Sequence, residues 1–140
     1  MEIPPDERAT MMALVVEDAE EAYELVADLL ADHGFSVVGA SNGIDAVSSA
    51  VALLPDVILM DLSLPVMGGL EATRLLKADP RTREIPIIAV TGHHNFLSLA
   101  REAGCDAFVA KPFTPAQLFR QLRRTLTTTA QAASGVRPAN

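Results

Sequence analysis

Val57-Ile58-Leu59-Met60 is an unbroken apolar run, and it stops at Asp61. A strand with one wet face alternates apolar and polar residues. A strand apolar throughout is buried on both faces, as in a parallel sheet covered by helices. Working outward from this run, others of the same kind occur at Met12–Val16, Ser36–Ala40, Ile85–Val90 and Ala107–Ala110.

The segments between these runs have helical periodicity. Ala22, Leu25, Val26, Leu29 and Leu30 make one apolar stripe, with Glu21, Glu24 and Asp28 facing away and Gly34 closing the helix. Gly43 to Leu54 reads as a second helix, stopped by Pro55, and Gly69 to Ala78 as a third. Asn95 to Ala103 is a shorter fourth, ending at Gly104. Thr114-Pro115-Ala116-Gln117 opens the fifth with an N-cap hydroxyl, an N1 proline and a capping-box amide. Leu118, Phe119, Leu122 and Leu126 then supply its buried face. Strand–helix alternation with right-handed crossovers predicts an α/β fold: a (βα)5, doubly wound, parallel five-stranded sheet of order 2-1-3-4-5, flavodoxin-like, with helices on both sides.

The bulk numbers agree with one such unit. The chain has 140 residues, 49% of them hydrophobic and 21% charged, which suits a single globular domain. Its net charge of −7 argues against non-specific binding to nucleic acid or anionic membrane, but would attract a metal cation. The lone cysteine, Cys105, excludes an intrachain disulfide and is read as an inert small residue beside the fifth strand. The start, Met1-Glu2-Ile3-Pro4-Pro5-Asp6-Glu7-Arg8, lacks the apolar run of a signal peptide, so a reducing cytoplasm is expected. No apolar stretch approaches the roughly 20 residues needed to span a bilayer. Residues 1–10 are expected to be a flexible tail, residues 11–130 the domain, and residues 131–140 a second flexible tail without apolar period.

Polarity interrupts the apolar runs at one set of positions. The first strand runs into Glu17-Asp18, the third into Asp61, the fourth into Thr91 and the fifth into Lys111. All lie at the C-terminal edge of the sheet, beside the crevice where strand order reverses and ligands bind. Glu17, Asp18 and Asp61 should therefore converge, and two unit charges about 4 Å apart cost roughly 4 kcal/mol at an effective dielectric of about 20. A hard divalent cation such as Mg2+ (or Mn2+) and the compact charge of Lys111 offset that repulsion. This combination suits phosphoryl transfer onto a carboxylate nucleophile. Asp61 attacks, Glu17 and Asp18 hold the metal, and Lys111 with the Thr91 hydroxyl binds phosphoryl oxygens. Gly92 leaves room for the donor.

Four segments carry a family resemblance: Ala13-Leu14-Val15-Val16-Glu17-Asp18, Ile58-Leu59-Met60-Asp61-Leu62-Ser63-Leu64-Pro65-Val66-Met67-Gly68-Gly69, Val90-Thr91-Gly92 and Lys111-Pro112-Phe113. In this order and spacing they resemble the receiver domain of response regulators over about residues 12–126. The resemblance implies a stand-alone signalling domain, monomeric or weakly dimeric, phosphorylated on Asp61 by a histidine kinase or histidine phosphotransfer protein. It also implies a metal ligand in the Ser63 backbone carbonyl, a cis peptide before Pro112, and a switch couple of Thr91 and Phe108. On this reading it is not an enzyme, beyond assisting its own phosphorylation and dephosphorylation. Gly68 stands where the family usually has Asp, and the stretch from Thr91 to Gly104 is shorter than usual.

Other readings have specific weaknesses. An aspartate-nucleophile phosphatase typically has a second acid two residues after the nucleophile, where this chain has Ser63. A flavin site needs glycine or hydroxyl residues where Asp18-Ala19-Glu20-Glu21 is acidic. A pseudo-receiver that binds partners without phosphorylation would not need the chemical residues that are present. His93 and His94 are adjacent in a loop and are read as surface histidines, with Ser63 and His93 flanking the site.

Overall fold

A computed structural model describes residues 10–64 and 66–134. The strands are β1 (Met12–Val16), β2 (Ser36–Ala40), β3 (Val57–Asp61), β4 (Ile87–Thr91) and β5 (Ala107–Ala110). They alternate with α1 (Glu20–Asp32), α2 (Gly43–Leu53), α3 (Gly69–Ala78), α4 (Leu97–Ala103) and α5 (Pro115–Ser134). The sheet is parallel throughout, in the order β2-β1-β3-β4-β5.

Because side chains alternate across a strand, each apolar strand feeds two cores. Ala13, Val15, Val57, Leu59, Ile88 and Val90 face Leu30 of α1 and Leu118 and Leu122 of α5. Leu14, Val16, Ile58, Met60, Ile87 and Ala89 face the other side, packed with Ala46 and Ala50 of α2, Ala72 and Leu76 of α3 and Ala100 of α4. The alanines let those helices lie close to the sheet.

Local signals place the helix ends. The Thr114 hydroxyl accepts from the Gln117 N–H at 3.2 Å, and the Gln117 side-chain oxygen accepts from the Thr114 N–H at 2.8 Å, closing the reciprocal cap. Gly34 and Gly104 follow α1 and α4 at φ 90° and 110°, the left-handed region that ends helices.

Several boundaries differ from the sequence expectation by one residue, and larger differences have local causes. β4 begins at Ile87 rather than Ile85: Pro86 has no N–H for the ladder, and the Ile85 N–H is spent in a turn on Thr82 O at 3.0 Å. His94–Phe96 form a 3₁₀ turn, so the fourth α-helix starts only at Leu97. α5 continues to Ser134, past Ala130, because the alanines and glutamine there favour helix without needing an apolar stripe. Leu25, counted on the apolar stripe of α1, is 62% exposed. The remaining expected tail residues, 1–9 and 135–140, lie outside the described residues.

Candidate functional site

The strand order sets β1 beside β3, and the register Val16↔Met60 brings the next residues, Glu17 and Asp61, side by side. Lys111, one residue beyond β5, reaches across to both. Its Nζ donates to Glu17 Oε1 at 3.0 Å and to Asp61 Oδ2 at 3.3 Å. The other oxygen of Asp61, Oδ1, accepts from the Ser63 backbone N–H at 2.9 Å. Asp61 is 5% exposed, so both its oxygens are fixed before any ligand arrives.

Glu17, Asp18 and Asp61 each offer a carboxylate oxygen within 4.8 Å of the others. One lysine cannot neutralise three acids, and the Glu17 carboxyl reflects that. Burial, then the contact with Asp61, pushes the Glu17 carboxyl above its usual range, against the downward pull of Lys111. Burial alone would depress Lys111, but its bonds and attraction to Glu17 and Asp61 outweigh that and hold it above an ordinary lysine. The donor set is all hard oxygen, one member (Asp18) is exposed, and negative charge is in excess. These properties fit a small divalent cation that keeps several waters.

The backbone around Asp61 leaves little slack. A Cβ at Gly69, the first residue of α3, would run into the Asp61 carbonyl oxygen and lie 2.9 Å from Leu62 Cα. The Gly43 N–H donates to Met67 O at 3.0 Å, tying the loop after β3 to the start of α2. Sequence reading placed both glycines at helix starts but gave them no role at the site. The Gly68-Gly69 pair at a helix start was the available signal, since nothing else there favours glycine.

The remaining expected residues are in place but differently engaged. Thr91 ends β4 and is buried, yet its hydroxyl accepts from the His93 N–H at 3.1 Å and donates to the His93 carbonyl at 3.4 Å. Among the described residues its hydroxyl makes no hydrogen bond to the acid cluster. Phe108 is half-buried on β5, with the Arg101 guanidinium 5.5 Å from its ring centroid. Sequence reading did not anticipate that cation–π contact, because Arg101 comes from α4 and only the fold brings them together. The Lys111–Pro112 peptide is cis. His93 is exposed and packs edge-on against Phe96, while the side chain of His94 lies outside those described. Cys105 is buried, and burial pushes its thiol pKa up, in line with an inert residue.

Comparison with known proteins defines the class. The family model of the response regulator receiver domain matches residues 13–123. The chain is 36% identical over 115 residues to the polar-differentiation response regulator DivK of Brucella anthropi, covering 81% of this chain and 94% of that protein. DivK of Brucella abortus strain S19 is 34% identical over 119 residues, covering 84% and 97%. Among solved structures, the receiver domain of the sensor histidine kinase PA1611 of Pseudomonas aeruginosa superposes with a TM-score of 0.80. That pair is 36% identical, covering 85% of this chain and 99% of that one, and that crystal structure has a magnesium ion coordinated in its active-site cleft. The chemotaxis protein CheY4 of Vibrio cholerae gives a TM-score of 0.79 at 28% identity, covering 84% and 99%.

The chain therefore belongs to the response regulator receiver domain family. It is the receiver of a two-component signalling protein rather than a conventional enzyme. No helix among the described residues is long and apolar enough to cross a membrane.

Proposed function

We propose that this chain is a cytoplasmic single-domain response regulator that accepts a phosphoryl group on Asp61 from the phosphohistidine of a histidine kinase or histidine phosphotransfer protein. The match to nearly the full length of the DivK relatives supports a switch that works through its own surface. One observation carries the chemistry: Asp61 is buried and held by both Ser63 N–H and Lys111 inside a three-carboxylate cluster.

In the transfer, an Asp61 oxygen bonds to phosphorus as the phosphorus–nitrogen bond breaks, and the released imidazole is left to take up a proton. Glu17, Asp18, the Asp61 carboxylate and the Ser63 carbonyl would hold Mg2+ (or Mn2+), which supplies charge neutralisation for the phosphoryl oxygens. Lys111 exchanges its bond to Asp61 for one to the incoming phosphoryl group, staying within reach of both. Thr91 releases the His93 backbone and donates its hydroxyl to a phosphoryl oxygen. The space it leaves lets Phe108 turn inward, changing the surface of α4, β5 and α5. Ser63 and His93 flank the path of attacking water and set the lifetime of the acyl phosphate.

Beryllofluoride with Mg2+, followed by amide NMR, tests this reading. Shifts at Asp61, Thr91, Lys111 and Phe108 are expected in the wild type and absent from Asp61→Asn. An unchanged wild-type spectrum at saturating reagent would remove it.

A further inference from the structure

The two helices on one side of the sheet carry opposite charge. α1 has Glu20, Glu21, Glu24, Asp28 and Asp32, all exposed, and no basic residue. α5 has Arg120, Arg123 and Arg124, all exposed, and no acid from Pro115 to Ser134. Among the described residues, none of the α1 acids, nor Arg120 or Arg123, belongs to an ion pair. Five ion pairs among the described residues lie around α3, the following loop and the acceptor site.

The same two helices also splay apart. At the end of α1, the His33 ring stacks on Phe119 of α5 with centroids 3.8 Å apart. Toward the acceptor site the helices separate around an apolar groove of about 420 Å³, lined by Ala22, Leu25 and Val26 on one side and Phe113 and Leu118 on the other. Its inner end reaches Lys111 and Asp61. Leu25, 62% exposed, stands on the rim between Glu21 and Asp28, which share its side of the helix.

We propose that this face pairs with a second copy of the chain, α1 of each lying against α5 of the other. An acidic helix beside a basic one is self-complementary. A two-fold axis running between the helices and along them lays acid on base twice, and closes the assembly at two copies. That operation also preserves height along the helices, so each copy's Leu25 arrives level with the other's groove. A leucine entering an apolar groove and two opposed charge stripes thus use the same geometry. The chain's net charge of −7 works against association in general, which leaves this face as the favoured meeting point.

The pairing is weak by size. Two helices about 20 Å long and about 10 Å apart present on the order of 400 Å² per copy, at the low end for specific association. Exposed charges that complement each other are screened by salt. Because the groove opens onto Lys111 and Asp61, a seated partner narrows one approach to the acceptor. The association itself needs no phosphorylation, so it stands or falls separately from the proposed function.

Sedimentation equilibrium on the unphosphorylated full chain tests it, from about 10 µM to about 1 mM and at about 0.05 and 0.5 M salt. A reversible dimer is expected, at least tenfold weaker at the higher salt. R120E/R123E and, separately, E24R/D28R should each weaken it at least tenfold, and an equimolar mixture of the two variants should restore a one-to-one pair. Leu25→Asp should weaken it at both salt concentrations. A wild type that stays monomeric throughout would overturn the proposal and leave the groove to a different occupant. Dimerisation untouched by both charge reversals, or a mixture that fails to recover, would overturn it as well. The wild-type salt series carries the test even if a variant misfolds.

Discussion

On the proposed function, the acceptor half of the site around Asp61 and its switch half around Thr91 are built differently. Around Asp61, three charged groups are already in contact: Lys111 bridges to Glu17 at 3.0 Å and to Asp61 at 3.3 Å, and Ser63 N–H fixes the remaining Asp61 oxygen at 2.9 Å. Around Thr91, the hydroxyl is turned to its own loop, bonded to His93, and Phe108 is held at half-burial under Arg101. Chemistry that works by positioning and charge neutralisation gains from being set in advance. A signal needs the opposite: an element held by weak contacts that one new charged group can outcompete. On this contrast, damage to the acceptor half should abolish phosphorylation, while damage to the switch half should change its consequences.

Removing the bridging cation is expected to have the largest effect. Lys111→Ala leaves Glu17 and Asp61 facing each other without a cation between them, and should cost roughly 1–2 kcal/mol of stability. That is below the about 3–5 kcal/mol of a fully buried pair, because the lysine is partly solvated. Denaturant melts would read the stability, and beryllofluoride titration should show binding weakened at least a hundredfold.

Glu17→Gln separates stability from metal binding. The folded Glu17 carboxyl titrates above its ordinary value of 4.5, so the folded state holds its proton more tightly than the unfolded chain. Stability from this group is fully present below pH 4.5 and is lost as pH rises through the raised folded value. Metal-free Glu17→Gln should therefore lose that slope and be the more stable protein at neutral pH, while its Mg2+ affinity falls. A variant that binds Mg2+ as well as wild type would place the metal away from Glu17.

Arg101→Ala acts on the other half. Losing an exposed cation–π contact costs about 0.5–1 kcal/mol, and should free the Phe108 ring without altering Mg2+ affinity. Aromatic NMR line widths at Phe108 would show the release, and unchanged line widths would count against Arg101 as a restraint on the ring. The smallest effect is expected at Gly68, the N-cap of α3, where an added Cβ meets nothing within 4 Å. Gly68→Asp supplies the missing side-chain cap and should stabilise the fold by a few tenths of a kcal/mol, as thermal melts would show.

The acceptor half was legible in the sequence because its residues are sequence-local signals: acids and a lysine at the ends of apolar strands. Strand order then followed from the connection rules, and it brought Glu17 and Asp61 together. The switch half was legible only as identities. Nothing about Thr91 in the sequence says that its hydroxyl bonds to His93, because that is one of several rotamers a strand-end threonine can take. Leu25 was misplaced for a related reason. It lies at the edge of the α1 stripe, and periodicity cannot tell a buried flank from one exposed where two helices diverge. The early start of β4 and the long α5 were missed through Pro86 and through helix-favouring alanines, both local effects that an apolar pattern does not record.

The central claim is that Asp61 receives the phosphoryl group. Intact-protein mass spectrometry after incubation with acetyl phosphate and Mg2+, followed by borohydride trapping and peptide mapping, tests it most directly. One phosphoryl group on the wild type, located to Asp61 and missing from Asp61→Asn, is the expected result. An unmodified wild type, or modification that persists in Asp61→Asn, would contradict it.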